Sequence, residues 1–259
     1  LGLLASARGR KVTVVGDLML DEYIYGTVTR ISPEAPVPVL EADLDRRRYV
    51  PGGAANVAAN LRALGLSVDL IGVVGDDRAG ERLREMLASL GIGVERLVTD
   101  ARRPTTLKTR IVAHNQQVVR VDHESKDPLS AEVRSAIWNG LAEALDYGSN
   151  ATVVSDYRKG VVAGVLTSER VGDLRRRGSL VTANCKPANL PLLRGADLLT
   201  MNLHEMNEAG CGPSASVEDL LSRAEALRSS LGLGALIITC GGGGLNIVTD
   251  GGVAMHFDA

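Results

Sequence analysis

Residues 50–75, VPGGAANVAANLRALGLSVDLIGVVG, decide the architecture. Gly52 and Gly53 open this stretch, and Asn56 stands among the small residues that follow. Ala54 to Leu64 reads as a helix stopped by Gly65, and Val68 to Val74 as a strand ending at Gly75. The first N–H groups of a helix have no partner inside it, so bare backbone entering a helix can donate to hydroxyl or anionic groups. Glycine lets a ligand approach the main chain, because no Cβ stands in the way. The same residues also describe a tight turn before an alanine-rich helix, and both readings stand on this stretch alone.

Working outward, KVTVVG (11–16) is a short β-branched run leading to Asp17. Ligands in open α/β sheets sit at the carboxyl ends of strands, so Asp17 and Asp21 stand where a substrate hydroxyl could be held. Asp17 can equally cap the turn that follows. Downstream, DDRAGERLREMLAS (76–89) reads as a helix with acidic residues in its first turn, and 130–145 as a helix capped by Ser130. ATVVSDY (151–157) is a buried strand ending at Asp156, with Lys159 and Gly160 beyond, and 164–177 is a helix. SLVTA (179–183) leads to Lys186, and ADLLTMN (196–202) leads to Asn202 and Glu205. A helix over 216–230 precedes ALIITC (235–240), which runs into Gly241 to Gly244, and LNIVTDGGVAMHF (245–257) forms a hairpin. This alternation means a mostly parallel sheet with helices on both faces.

Two segments break the alternation. Residues 22–50 carry Pro33, Pro36 and Pro38 among alternating apolar residues, which argues for irregular, edge-type strands. Residues 104–123 alternate in the same way. Together they predict one small β subdomain over the site of the larger domain, a cover that excludes water from a reaction.

Apolar content of 45% and charged content of 23% are those of an ordinary globular chain, and 3% aromatics leave the core to Val, Leu, Ile and Ala. A net charge of −2 gives no reason to expect nucleic acid or an anionic membrane as partner. No apolar run approaches the length of a membrane span. Cys185, Cys211 and Cys240 are widely spaced, which fits a reducing, cytoplasmic setting. His114, His123, His204 and His256 lack metal-ligand spacing, and no G-x-S-x-G, Walker A loop or G-x-G-x-x-G after the first strand appears. The start at Leu1, not Met, leads us to expect a fragment of a longer protein.

What remains is a set of polar residues at strand ends. Asn202 followed by Glu205 is a capping-box pattern, or else places Glu205 to order a water-bound Mg²⁺ beside triphosphate oxygens. The Gly241–Gly244 loop is a simple turn, or lets a nucleotide approach the backbone.

The opening stretch resembles the first signature of the ribokinase-like (PfkB) carbohydrate kinases, with Gly52, Gly53, Asn56, Ala58, Gly65 and Gly75 at its spacings. GDLMLDEYIYGTVTRISPEAPVPVL (16–40), RPTTLKTRIVAHNQQVVRVDHE (103–124), SDYRKG (155–160) and RGADLLTMNLHE (194–205) resemble the heptose 7-phosphate kinase branch of that family, over essentially the whole chain. The resemblance implies one α/β kinase domain over 1–259. It implies a ribokinase-like three-layer α/β/α fold with a mostly parallel central sheet, plus a small β lid from about 22–50 and 104–123.

The implied activity is ATP-dependent phosphorylation of the anomeric hydroxyl of D-glycero-D-manno-heptose 7-phosphate, giving the 1,7-bisphosphate for nucleotide-activated heptose and surface glycans. Asp17, Asp21, Gly52, Gly53, Asn56 and Asp156 fall on the sugar side, with Lys108, Arg110 and Arg120 on the lid for the phosphate. Lys186, Asn202, Glu205, Thr239, Gly241 and Gly244 fall on the nucleotide side, with Glu205 toward Mg²⁺ through water. ATP and Mg²⁺ are the implied cofactors, a sugar phosphate the small-molecule partner, and a homodimer through the lid the implied assembly. Another sugar kinase of the same family, or a catalytically silent sugar-binding module, are the alternatives.

Two departures bear on this. The family's G-A-G-D segment, which supplies the base and the anion hole, does not occur before Ala259, so the domain is expected to be truncated there. General base catalysis alone typically contributes ~10²–10⁴-fold, so a polypeptide ending there is expected to be nearly inactive. The family's Asp-Pro-Lys is here Asn184-Cys185-Lys186. No H-x-G-H motif of a fused adenylyltransferase occurs in these residues.

Overall fold

A computed structural model describes residues 2–259. In chain order the first half comprises α1 (Gly2–Ala7), β1 (Lys11–Gly16), β2 (Leu18–Ile31), β3 (Pro38–Gly53), α2 (Ala54–Ala63), β4 (Ser67–Val74), α3 (Arg78–Ser89), β5 (Leu97–Thr99), β6 (Leu107–Ala113) and β7 (Gln116–His123). The second half comprises α4 (Ala131–Asp146), β8 (Ala151–Ser155), α5 (Val161–Val165), α6 (Ser168–Arg176), β9 (Leu180–Asn184), β10 (Leu198–Asn202), α7 (Leu203–Met206), α8 (Val217–Leu231), β11 (Ala235–Thr239), β12 (Leu245–Thr249) and β13 (Ala254–Phe257).

The larger sheet runs β13-β12-β11-β10-β9-β8-β1-β4-β5. It is parallel from β5 to β11 and antiparallel at β12 and β13. β1 lies inside it, paired with β4 on one edge and β8 on the other. The β-branched run of β1 serves both faces. Val14 packs with Leu70, Leu83 and Leu87 beneath α2 and α3, and Val15 packs with Ile71, Ile137 and Leu141 on the α4 side. Over β9–β12 the covering is one-sided. Val181, Leu199, Leu236 and Val248 are buried with residues of α6 and α8, while the alternate residues Thr182, Thr200, Ile237 and Ile247 are half-exposed. Among the described residues, helices therefore flank both faces at β1 and β4 and one face at β9–β12.

The smaller sheet, the lid, runs β3-β2-β6-β7. Its strands are longer and more regular than the prolines suggest: β2 has 14 residues and β3 has 16. Pro33 and Pro36 fall in the connection and Pro38 at the first position of β3, where no ladder N–H is required. Register shifts between Tyr23 and Tyr25 and between Val28 and Arg30 absorb the irregularity. His114 and Asn115, at φ 49 and 63, make the tight turn between β6 and β7. β2 leaves β1 after only Asp17, and β3 runs into α2 at Gly53, so the lid grows out of the ligand-facing end of the larger sheet.

Two helices differ from their sequence reading. Asp77 caps α3 instead of lying inside it, accepting the Gly80 N–H at 2.8 Å. The helix expected over 164–177 is two, because Leu166 is extended and Thr167 caps α6 by accepting the Arg170 N–H. No helix among the described residues is long and apolar enough to cross a membrane.

Candidate active site

Along β2 the side chains alternate, and Met19, Asp21 and Tyr23 share one face. That face closes a cavity of about 570 Å³ with Gly52, Gly53 and Asn56 from the β3–α2 junction, Lys108 and Arg110 from β6, and Arg120 from β7. Tyr157 and Lys159, just beyond β8, complete it. The glycines are set by close approach. A Cβ on Gly53 would lie 2.4 Å from the Asp17 carbonyl oxygen, and one on Gly52 would lie 2.5 Å from Asp21 Oδ2. Gly53 also has φ 57, a left-handed backbone that side chains disfavour. The structure thus brings Asp21, Gly52, Gly53, Asn56, Lys108, Arg110 and Arg120 into one cavity.

Charge in the cavity is organised in pairs. Arg110 Nη1 lies 2.5 Å from Asp21 Oδ1. Lys108 Nζ reaches Asp122 at 2.8 Å and Glu124 at 3.5 Å, and Arg120 Nε reaches Asp122 at 2.8 Å. Lys159 Nζ lies 2.7 Å from Glu124 Oε1, which ties the lid to the larger domain. The hydrogen bond from Lys108 holds the Asp122 carboxyl below the usual carboxylate range. Glu124 is also held low: burial opposes this, but the Lys159 hydrogen bond and the charges of both lysines prevail. Lys108, Arg110, Arg120 and Lys159 outnumber Asp21, Asp122 and Glu124 by one, so the cavity favours an anionic guest.

Asp17 and Asp156 are placed elsewhere. Asp17 is 1% exposed, and its oxygens accept the N–H groups of Tyr157 (2.7 Å), Lys159 (3.0 Å) and Val161 (3.1 Å). Burial raises the Asp17 pKa above its ordinary value, and the three N–H donors pull the other way. Asp156 accepts the N–H of Arg158 (2.8 Å) and of Lys186 (3.1 Å), and the Asn189 side-chain amide (2.7 Å). Neither carboxylate lines the cavity. Both shape the loop that carries Tyr157 and Lys159 to it. Lys159 carries no local signal of this role in the sequence, because 157–160 is a loop whose course is set by Asp17 and Asp156.

The residues expected on the nucleotide side gather at the neighbouring strand ends. Asn202 and Thr239 are direct partners across β10 and β11, and Lys186 follows β9. The capping box is present: Asn202 Oδ1 accepts the Glu205 N–H at 2.8 Å, and Glu205 Oε2 accepts the Asn202 N–H at 2.9 Å. Glu205 Oε1 lies 2.6 Å from Lys186 Nζ, and this hydrogen bond raises the Lys186 pKa. Burial pushes the neighbouring Cys185 thiol up to about 12, with the charges of Asp156 and Glu205 adding to the effect.

Gly241, at φ 59, has no atom within 4 Å of where a Cβ would stand, so its backbone is open. Gly244 is different: a Cβ there would meet the Phe257 carbonyl oxygen, so packing against β13 requires glycine. Among the described residues no group of three or more His, Cys, Asp or Glu could hold a metal ion. A single carboxylate, Glu205, beside Lys186 fits a hydrated Mg²⁺ held chiefly by phosphate oxygens, and the bare Gly241 backbone fits a nucleotide.

Known proteins resemble the chain over nearly its whole length. A family model described as pfkB family carbohydrate kinase matches residues 10–258. The chain is 39% identical over 258 residues to the bifunctional protein HldE of Azorhizobium caulinodans, covering 99% of this chain and 53% of that protein. It is 43% identical over 255 residues to the bifunctional protein HldE of Geobacter metallireducens, covering 97% and 51% respectively. The chain thus spans about half the length of the curated relatives it matches. In fold it is similar to the Arabidopsis thaliana ribokinase complexed with ribose and ATP, with TM-score 0.71, 15% identity, and coverage of 96% of this chain and 78% of that one. It is likewise similar to the tetrameric inhibited form of phosphofructokinase-2 from Escherichia coli, with TM-score 0.71, 18% identity, and coverage of 96% and 79%.

Proposed function

The chain belongs to the pfkB family of carbohydrate kinases, and from that premise we propose that it phosphorylates the anomeric hydroxyl of D-glycero-D-manno-heptose 7-phosphate, using ATP and Mg²⁺. The 1,7-bisphosphate product would serve nucleotide-activated heptose and surface glycans. One observation carries the reading: hydroxyl-binding groups and a cluster of cations line the same cavity. Asp21, Asn56 and the N-terminus of α2 are suited to sugar hydroxyls, and Lys108, Arg120 and Lys159 to a phosphate.

Phosphoryl transfer depends on positioning and charge neutralisation. Arg110 holds the Asp21 carboxylate in place as an acceptor for a sugar hydroxyl. Cations on the lid and Lys159 on the larger domain clamp the phosphate end, which fixes the opposite end of the sugar toward the strand ends of β9–β11. The lid excludes water. Lys186, Asn202, Glu205, Thr239 and the backbone of Gly241 would hold the nucleotide phosphates and the hydrated metal, with Gly244 fixing the loop. Bound there, ATP would supply the phosphoryl group and Mg²⁺ would neutralise the charge on its oxygens.

ADP release by a polypeptide that includes the family's G-A-G-D segment, measured with D-glycero-D-manno-heptose 7-phosphate, the same heptose without phosphate, and D-ribose, tests the reading. The phosphorylated heptose is expected to be favoured by about tenfold or more in kcat/KM, since each charge-assisted hydrogen bond is worth roughly 1.5–3 kcal/mol. Lys108→Ala should raise KM for that substrate alone. Equal rates with and without the phosphate would sink the assignment. Calorimetric binding of the same panel separates a kinase from a sugar-binding module without turnover.

The lid also suits pairing of two copies. Ile31, Leu44, Val119 and Val121 are exposed on it, and its edge strands β3 and β7 each have one unpaired side. A cytoplasmic setting fits the unpaired state of Cys185, Cys211 and Cys240.

A further inference from the structure

The loop after β8 has two sides. Tyr157 and Lys159 line the sugar cavity, while Arg158 and Gly160 line a second cavity of about 320 Å³. Three cations, Lys126, Arg134 and Arg158, converge on this second cavity. Among the described residues none of their side chains makes a hydrogen bond or ion pair. That contrasts with the sugar cavity, where each cation has a carboxylate partner. The single carboxylate here, Asp127, accepts from the Ser125 hydroxyl at 3.1 Å. Like charges brought together repel, and an anion between them removes that cost.

The cations are also positioned. Arg158 has φ 58, a left-handed backbone unusual for arginine. Two buried carboxylates hold it there: Asp156 accepts the Arg158 N–H, and Asp17 accepts those of Tyr157 and Lys159. Such a conformation persists only where the surroundings over-determine it. The Arg134 stem lies across α5 at Gly164, where a Cβ would stand 3.2 Å from Arg134 Cδ. Between the cations, Leu129, Ala163 and Ala188 give a small apolar floor.

We propose that this second cavity binds a phosphate-bearing small molecule, its phosphate taken by Arg134, Arg158 and Lys126 and its body resting on the apolar floor. The volume matches a small phosphorylated metabolite, and guanidinium groups suit phosphate oxygens. The site is independent of the kinase assignment, because none of these cations lines the sugar cavity.

Inorganic phosphate, ADP and D-fructose 6-phosphate, each titrated calorimetrically into the full chain and into the Arg134→Ala/Arg158→Gly variant, test this. Glycine keeps the left-handed backbone at 158, so the variant is expected to melt within a few degrees of the parent. Neither substituted side chain lines the sugar cavity, and Arg134→Ala alone, which leaves the loop of Tyr157 and Lys159 intact, should weaken the same probe in the same direction, so the second site is read apart from the sugar cavity. At least one probe should bind tenfold or more weakly to the variant, or lose one site per chain. The probe affected shows whether a sugar phosphate, a nucleotide or the bare anion is the ligand. Identical isotherms for all three probes overturn the proposal, whatever the kinase assay shows.

Discussion

The carboxylate of Asp17 accepts three backbone N–H groups from residues 157, 159 and 161 while almost wholly buried. Removing it orphans three donors, and each unsatisfied buried donor costs about 1–3 kcal/mol. Asp17→Ala is therefore expected to lose roughly 3 kcal/mol or more in urea unfolding, and a loss below about 1 kcal/mol would contradict the clamp. In sequence, Asp17 and Asp21 look alike, two acids just past a β-branched run. Alternation along β2 turns Asp21 toward the cavity, which the sequence carries locally. The partners of Asp17 lie 140 residues or more downstream, so no local pattern could separate its role from that of a sugar ligand. Asn202 and Glu205 were legible as a capping box because both partners lie in one turn, whereas the Lys186 contact to Glu205 comes from another strand.

At the level of elements, the β3–α2 junction separates two duties between adjacent glycines. A Cβ on Gly53 meets backbone, the Asp17 carbonyl oxygen, and its φ is left-handed. A Cβ on Gly52 meets side-chain atoms of Asp21 and Met19. Gly53→Ala is therefore expected to destabilise the fold by about 1–3 kcal/mol or more. Gly52→Ala should displace Asp21 and weaken sugar binding with a smaller loss of stability. Melting temperatures and calorimetric sugar affinities of the two variants check this, and the reverse ranking would refute it. The junction was readable because glycines, small residues and a helix stop occur within a few positions. The break between α5 and α6 was less so: its one local mark is Thr167, a cap residue inside the run, and the extended Leu166 before it has no signal of its own. The lid strands were recognised by alternation, but their length was hidden by prolines that fall in the connection and at a strand start.

For the whole molecule, the alternation of strands and helices foretold the parallel sheet, because each strand is a short aliphatic run bounded by glycine or a cap. It could not foretell that β9–β12 carry helices on one face only, since the half-exposed Ile237 and Ile247 are as apolar as the buried residues and only Thr182 and Thr200 mark the open face. The proposed pairing through the lid predicts a dimer by light scattering at micromolar concentration. Val119→Asp with Val121→Asp, both on exposed β7, should give a monomer with an unchanged far-ultraviolet spectrum. A monomeric parent protein would refute the pairing.

The position of β1 has a further consequence, for synthesis. β1 leaves the ribosome before both of its sheet partners: one of its edges is met only by β4 and the other only by β8. Once β4 is made, Val12, Val14 and Val15 still lie along an open edge until Ala151–Ser155 emerges. For that interval the nascent chain offers a ready template for another strand. The Asp17 clamp closes later still, when Val161 has emerged, so the floor of the sugar cavity is set after most of its walls have been synthesised.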